Sequence, residues 1–349
     1  MNKWLSMFEA PDISYNDFLK TARVRLSNQS LIPLTTNTET LYEAIVTHKL
    51  KYLRNFYNRS LKPYDINITE TSLNNNTHSK YKNTVRNMYL TELLSETQTI
   101  QPNIRSFLDV IIELFKYRII DYKLITPSSL KLISKNKLSN VLSGFYFRSS
   151  IMNPIIPYTL SKRIDKPFKV FTPTLGWSSY LLGMLSNPML EEYVGVDVIE
   201  KVCETTKHLS PKTTIYCSPS EDLDKAFMDT YHNHFDLIFF SPPYYQLELY
   251  QGDKQSTNRY TSYHDWLEGY WRQTMRICRH VLKDDGIMYF IIGGYKYKKK
   301  YIDLEADMSR ICIEEHFTLI QKEPMTVNNI GFTKHREARE YIFSFNKSV

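Results

Sequence analysis

The chain has 349 residues, of which 42% are hydrophobic and 14% aromatic, including 26 Tyr and 18 Phe. That composition supports a sizeable packed core and excludes a disordered protein. The formal net charge of +7 lies wholly in the first part, because residues 1–140 hold 19 Lys+Arg against 12 Asp+Glu while residues 141–349 hold 25 of each sign.

In chain order, the N-terminus MNKWLSMFEAPD has no apolar signal core, and no later run approaches membrane-spanning length. No membrane association is expected, and the expected location is intracellular, cytoplasmic or nuclear. Helical spacing follows over Thr38 to Asn58, through Leu41, Ile45, Tyr52, Leu53 and Phe56. It recurs more clearly over Arg105 to Ile120, through Leu108, Ile111, Ile112, Phe115 and Ile119. Between them, the polar stretch Asn67 to Asn83 reads as a long loop or mobile segment. Two basic-aromatic clusters stand out, Lys49 to Arg59 and Lys80 to Arg86. Their Lys and Arg suit phosphates and their Tyr suits base stacking; a solvated basic helix face is the plainer alternative for each. Residues 1–140 are therefore expected to form a helical, basic domain for nucleic acid or a protein partner.

Beyond residue 165 short apolar runs alternate with helical stretches. Strands are expected at Lys169 to Thr172, Tyr193 to Asp197, Thr213 to Cys217, Phe235 to Phe240 and Ile287 to Ile292. Two more are expected near Phe317 to Gln321 and Glu340 to Phe345. Helices are expected over Trp177 to Leu185, from about Ile199 to Leu209, over Tyr263 to Leu282 and near Asp303 to Glu315. The alternation predicts an α/β domain over residues 141–349, with a mostly parallel sheet covered on both faces. In such sheets ligands sit beyond the carboxyl ends of the strands. That rule selects Thr172 to Gly176, Asp197, the Ser218 to Asp222 turn and Ser241 to Tyr244. Cys203, Cys217, Cys278 and Cys312 form no CxxC pair. The first three fall in core-like stretches and read as buried reduced thiols. His232 and His234 are assigned no metal, and none is expected elsewhere.

The chemistry is most legible in Ser241-Pro242-Pro243-Tyr244, directly after the apolar strand FDLIFF. Two prolines fix φ and remove two N–H donors, leaving a stiff turn that presents carbonyl oxygens. A hydroxyl precedes them and an aromatic ring follows. An exocyclic amine on a nucleobase needs this arrangement, because its lone pair is delocalised into the ring. Two acceptors, Ser241 and the Pro242 carbonyl, can hold its protons and turn the nitrogen toward tetrahedral geometry. The Tyr244 ring would hold a base extruded from its duplex.

On these residues the chain resembles the S-adenosylmethionine-dependent amino-methyltransferases of DNA bases, whose fourth motif reads [D/N/S]-P-P-[Y/F/W]. The following stretch, YYQLELYQGDKQSTNRYTSYHDW, is similar to a subgroup common in phages and large DNA viruses. The resemblance spans about residues 145–345 and implies a Rossmann-like fold with a seven-stranded sheet, with S-adenosyl-L-methionine as cofactor. It also implies site residues. Phe171-Thr172-Pro173-Thr174-Leu175-Gly176-Trp177 resembles the first motif, which receives the methionine part of the cofactor. Asp197, with Val198 beside it, resembles the second, and would accept the ribose hydroxyls; it lies 21 residues beyond Gly176. Ser220-Glu221-Asp222 resembles the third, with Glu221 or Asp222 near the adenine amine. Phe147-Arg148-Ser149 and Asn153-Pro154 resemble the motif ahead of the first strand.

Two departures carry weight. Thr172 stands where the family has an acidic residue, and Ser178-Ser179 stand where a second glycine is common, so serines there would crowd the cofactor. They keep open a second reading, a catalytically reduced subunit that binds nucleic acid and supports an active partner. The first reading is methyl transfer to a DNA base, cytosine N4 ahead of adenine N6, with RNA behind DNA. Residues 246–262 and the N-terminal domain would read the target, and a protein partner or homodimer stays open.

Overall fold

The computed structural model describes residues 63–89, 92–93, 150–247, 249–297, 300–325 and 340–348. The chain divides into two compact units, Met1–Arg59 with Leu90–Ser149, and Ser60–Tyr89 with Ser150–Val349. All the described residues except 92–93 belong to the second. The expected helices over 38–58 and 105–120, the basic cluster 49–59 and Phe147-Arg148-Ser149 lie outside the described residues.

The second unit is built on one sheet. Its strands are β1 (Phe168–Thr172), β2 (Leu190–Asp197), β3 (Thr213–Cys217), β4 (Phe235–Phe240), β5 (Leu282–Ile292), β8 (Phe317–Pro324) and β9 (Tyr341–Lys347). The hairpin of β6 (Tyr295–Tyr297) and β7 (Lys300–Ile302) stands apart. The strand order in the sheet is β3-β2-β1-β4-β5-β9-β8. The pairs from β3 to β5 are parallel, and β9 runs antiparallel to both β5 and β8. The mostly parallel α/β sheet is the one that the alternation predicts, and its seven strands in this Rossmann-like order are those that the resemblance implies. The order reverses beside β1, between β1 and β4, and there a crevice opens beyond the carboxyl ends.

The core follows from the strand sequences. Every residue of β4 is buried, as expected for a central parallel strand covered on both faces. Phe235 stacks on Phe171 of β1 at 5.5 Å, and Phe290 of β5 on Phe343 and Phe345 of β9 at 5.2 and 5.4 Å. The expected helix over 263–282 is broken into three parts. Tyr263–Trp266 is α-helical, Leu267–Arg272 is π-helical and Gln273–Val281 is α-helical again. Its apolar face is buried as expected, with Trp266 and Trp271 fully enclosed. Cys203, Cys278 and Cys312 are buried thiols, but Cys217 is exposed. It lies on β3, which is the edge strand of the sheet among the described residues.

The largest difference from expectation concerns residues 63–89. They belong to the second unit rather than to the basic domain. The stretch 67–83 is not wholly a loop, since Ser79–Met88 is an α-helix. Tyr81, Thr84, Val85 and Tyr89 are buried, so Tyr81 is core material rather than a stacking platform. The Ile68 amide donates to Ser186 Oγ at 3.0 Å, and the Asn153 amide donates to Asn75 Oδ1 at 2.7 Å. These bonds join residues 118 and 78 positions apart. Among the described residues no helix is long and apolar enough to cross a membrane.

Candidate active site

The crevice at the carboxyl ends is one continuous cavity. Of the residues expected to form the site, Pro173, Gly176, Trp177, Asp197, Val198, Glu221, Ser241, Pro242, Pro243 and Tyr244 line it. Thr172 and Asp222 do not.

The turn after β1 explains both departures from the family pattern. Gly176, Trp177 and Ser178 all have left-handed backbone, with φ of 51°, 59° and 61°. Gly176 adopts this freely, whereas the other two do so against their Cβ atoms. The Ser178 hydroxyl bonds to both the Tyr89 and the Thr206 hydroxyls. Ser178 and Ser179 are fully buried, and neither lines the cavity. Ser178 therefore braces the turn from behind, and neither serine crowds the cavity, which corrects that expectation. Thr172 is corrected as well. Its hydroxyl is sealed beneath the cavity, where it donates to the Tyr193 oxygen at 2.7 Å. A threonine fits there because its partner is a buried phenol, which burial keeps protonated.

Gly176 has a second constraint. A Cβ at this position would lie 2.2 Å from Cζ of Tyr180. The bare glycine lets the Tyr180 ring pass beneath the turn. There the Tyr180 hydroxyl accepts the Ser241 amide at 3.1 Å. Tyr180, which sequence reasoning missed, thus props the Ser-Pro-Pro-Tyr corner against the glycine turn.

At that corner the Ser241 hydroxyl donates to the Ile291 carbonyl at 3.0 Å. With its hydrogen committed, the oxygen faces the cavity as an acceptor. The Ser241 carbonyl is taken by the Thr174 hydroxyl at 3.2 Å. Among the described residues the Pro242 carbonyl has no partner. Tyr244 is 9% exposed and its hydroxyl donates to Glu340 Oε1 at 2.8 Å. Glu340 also lines the cavity, placing a carboxylate beside the corner that no motif indicated.

Asp197 closes the other end. Its Oδ1 accepts the Val198 and Ile199 amides at 2.8 and 3.1 Å, and its Oδ2 accepts the Leu175 amide at 3.1 Å. It ties the end of β2 to the glycine turn and holds the two amides that lead into the helix Glu200–Lys207. Burial pushes its carboxyl up from the ordinary value, and the three amides oppose that shift. Oδ2 takes one bond, so an acceptor site remains on it.

Glu221 and Asp222 are clasped by one arginine. Arg259 Nη1 donates to Glu221 Oε1 at 2.7 Å, and its Nη2 pairs with Asp222 at 2.8 Å. The Tyr260 hydroxyl also donates to Glu221, at 3.3 Å. Burial raises the Glu221 carboxyl, with the Arg259 charge working against it. Asp222 is exposed and faces away from the cavity, so Glu221 is the carboxylate available inside. Tyr250, Lys254, Gln255 and Ser256 form part of the wall. Residues expected to read the target sequence are thus partly spent closing this cavity, and Arg259 fastens them.

From the N-terminal segment, Asn75 lines the cavity with Ser150 and Met152. Asn153 of the expected pre-strand motif does not line it, but it donates its side-chain amide to the Thr77 carbonyl at 2.5 Å and so holds Asn75 in place. No cluster of metal-ligating side chains occurs among the described residues. His234 pairs with Glu192 at 2.7 Å instead.

Residues 235–349 match the model of a family described as DNA methylase. The match begins at β4 and contains the Ser-Pro-Pro-Tyr corner, the wall loop and Glu340. No curated protein matches the chain. Similar solved structures include a TehB-like SAM-dependent methyltransferase from Corynebacterium glutamicum, at 10% identity over 64% of this chain and 100% of that one, with a TM-score of 0.37. Another is 1,6-didemethyltoxoflavin-N1-methyltransferase of Burkholderia thailandensis with bound S-adenosylhomocysteine, at 11% identity over 55% and 76%, TM-score 0.36. A third is TrmN of Thermus thermophilus, at 13% over 56% and 49%, TM-score 0.38. The fold assignment rests on strand order rather than on these distant likenesses.

Proposed function

We propose, with the DNA methylase match of residues 235–349 as the premise, that this chain transfers a methyl group from S-adenosyl-L-methionine to an exocyclic amine of a DNA base. The observation that carries the reading is the cavity itself. One continuous hollow joins Asp197 and Gly176 to an acceptor-only Ser241 hydroxyl, a Pro242 carbonyl that has no partner among the described residues, and the Tyr244 ring.

The wall fits the cofactor. Asp197 and Glu221 offer carboxylates to the hydroxyl and amine donors of an adenosyl group, and Gly176 lets backbone approach closely. Thr172 gives no carboxylate, so the methionine end falls to the turn and to the side of the cavity formed by Asn75 and Ser150. When bound, S-adenosylmethionine supplies an electrophilic methyl on its sulfonium. Ser241 and the Pro242 carbonyl hold the two amine protons and direct the nitrogen lone pair, while Tyr244 fixes the plane of the base. The amine nitrogen would take that methyl as the S–C bond broke, S-adenosylhomocysteine would leave, and the proton lost from the amine would pass to solvent. The residues contribute orientation and electrostatics, and no covalent enzyme intermediate is needed.

None of Ser178, Ser179 and Thr172 lines the cavity, which supports a working enzyme over a scaffold subunit. Serine at the head of the corner favours cytosine N4, with adenine N6 the alternative target. Methyl-labelled cofactor given to the full chain with duplex DNA or with RNA tests the substrate class. Incorporation into DNA is expected, and label in RNA alone would overturn it.

DNA is proposed to be held through the basic N-terminal part. Residues 60–89 belong to the cavity-bearing unit, so charge substitution tests this better than truncation. Lys49→Gln, Lys51→Gln and Arg54→Gln together are expected to weaken DNA binding uniformly across sequences. The slope of log affinity against log salt should fall by about 0.9 for each phosphate that is no longer neutralised. An unchanged slope would assign those residues another role.

A further inference from the structure

One residue of the cavity wall has a buried hydroxyl without a hydrogen-bond partner among the described residues. Tyr270 lies in the π-helical segment Leu267–Arg272 and lines the cavity together with Ser220, Glu221 and Asp197. It is 3% exposed, and its Oη has no hydrogen-bond partner among the described residues. Neighbours on the same helix are satisfied. Trp266 Nε1 donates to Ser256 Oγ at 3.2 Å, Trp271 Nε1 to the Met308 carbonyl at 3.0 Å, and Thr274 Oγ1 to the Tyr270 carbonyl at 2.8 Å. Ser179 and Thr213 also carry orphaned hydroxyls, but neither lines the cavity. Buried tyrosine hydroxyls ordinarily find a partner. A π-helical insertion rotates the side chains that follow and is frequent at functional sites.

The surroundings say what kind of partner is missing. Burial holds the Tyr270 phenol in its protonated form, so it offers an O–H donor. Nearby Asp197 and Glu221 carry the carboxylates of this part of the wall, and they suit ligand donors. A purine presents both kinds of group, an amine donor and ring-nitrogen acceptors. We infer that the Tyr270 hydroxyl donates to a ring nitrogen of the cofactor's adenine, so that the wall reads the purine with both a donor and acceptors. This rests on the cofactor reading above.

The test is calorimetry on the full chain, wild type and Tyr270→Phe, with S-adenosylhomocysteine and with its 1-deaza, 3-deaza and 7-deaza analogues. The substitution is expected to weaken S-adenosylhomocysteine by about tenfold, the scale of one buried hydrogen bond. One deaza analogue, lacking the accepting nitrogen, should bind both proteins alike. The thermal midpoint of the ligand-free variant should stay level or rise, because an orphaned hydroxyl is removed. Equal affinity of both proteins for S-adenosylhomocysteine would overturn the inference, as would a constant affinity ratio across all analogues. A drop in the ligand-free midpoint would also overturn it, by making the hydroxyl structural. Failure of the wild type to bind S-adenosylhomocysteine at all would instead overturn the cofactor reading.

Discussion

Ser241→Ala combined with Tyr244→Ala is expected to abolish methyl transfer while leaving affinity for S-adenosylhomocysteine nearly intact. Removing one preorganised polar group at a reacting centre costs about 10²–10³ in rate. Loss of a stacking ring costs a further 1–3 kcal/mol or so, on the scale seen for bases on aromatic side chains. Together the turnover should fall below detection by labelled-methyl incorporation. Affinity should persist because Gly176, Asp197 and Glu221 are untouched. The fold should persist too, since the Ser241 amide keeps its bond to Tyr180 and the two prolines remain. Circular dichroism and calorimetry on the same preparation separate the two effects. Turnover within about tenfold of wild type, against the 10² or more expected for the polar group alone, would remove the corner from the active site.

Asp197→Ala should damage both binding and stability. The carboxylate accepts three backbone amides, from Leu175, Val198 and Ile199. Its removal leaves those donors without their acceptor at the rim of the cavity, at about 1–3 kcal/mol for each that stays dry. The glycine turn would lose its tether to β2, and the ligand would lose an acceptor at Oδ2. A fall in thermal midpoint of several degrees is expected, with loss of S-adenosylhomocysteine binding in calorimetry. Asp197→Asn should be milder, because its amide oxygen can still accept. If Asp197→Ala kept wild-type affinity, the carboxylate would serve only to hold the backbone of the two turns.

The sheet was legible because its strands are short and apolar and its helices amphipathic. FDLIFF can be little other than a central buried strand, and the Trp266, Tyr270 and Cys278 face of the long helix shows plainly in its spacing. What escaped has identifiable causes. The helix Ile155–Ser161 carries Pro157, which reads as a breaker. It sits in the first turn, where its missing N–H has no intrahelical role. The π-helical turn is invisible to a periodicity search because flanking α-helix on both sides preserves the apolar stripe. The role of residues 63–89 depends on bonds to Ser186 and Asn153 across long stretches of chain, which composition cannot reveal.

The site divides along the same line. Gly176, Asp197, Glu221 and the Ser-Pro-Pro-Tyr corner were legible because each follows a strand end, where this fold puts its ligands. Tyr180, Arg259, Glu340 and Tyr270 were not. The first three act through partners distant in sequence, as Arg259 does on Glu221 and Asp222, and Tyr270 stands out only by a hydroxyl without a partner among the described residues. Ser178 and Thr172 drew attention as departures from a pattern, and their meaning became clear only from their hydroxyl partners. A serine can stand in a left-handed turn when Tyr89 and Thr206 both bond it.

The position of the transferred methyl tests the central claim most directly. Duplex DNA modified by the full chain would be digested to nucleosides and resolved by mass spectrometry. Methyl on an exocyclic nitrogen, as N4-methylcytosine or N6-methyladenine, is the predicted product. Methyl on a ring carbon, or unmodified nucleosides throughout, would contradict it.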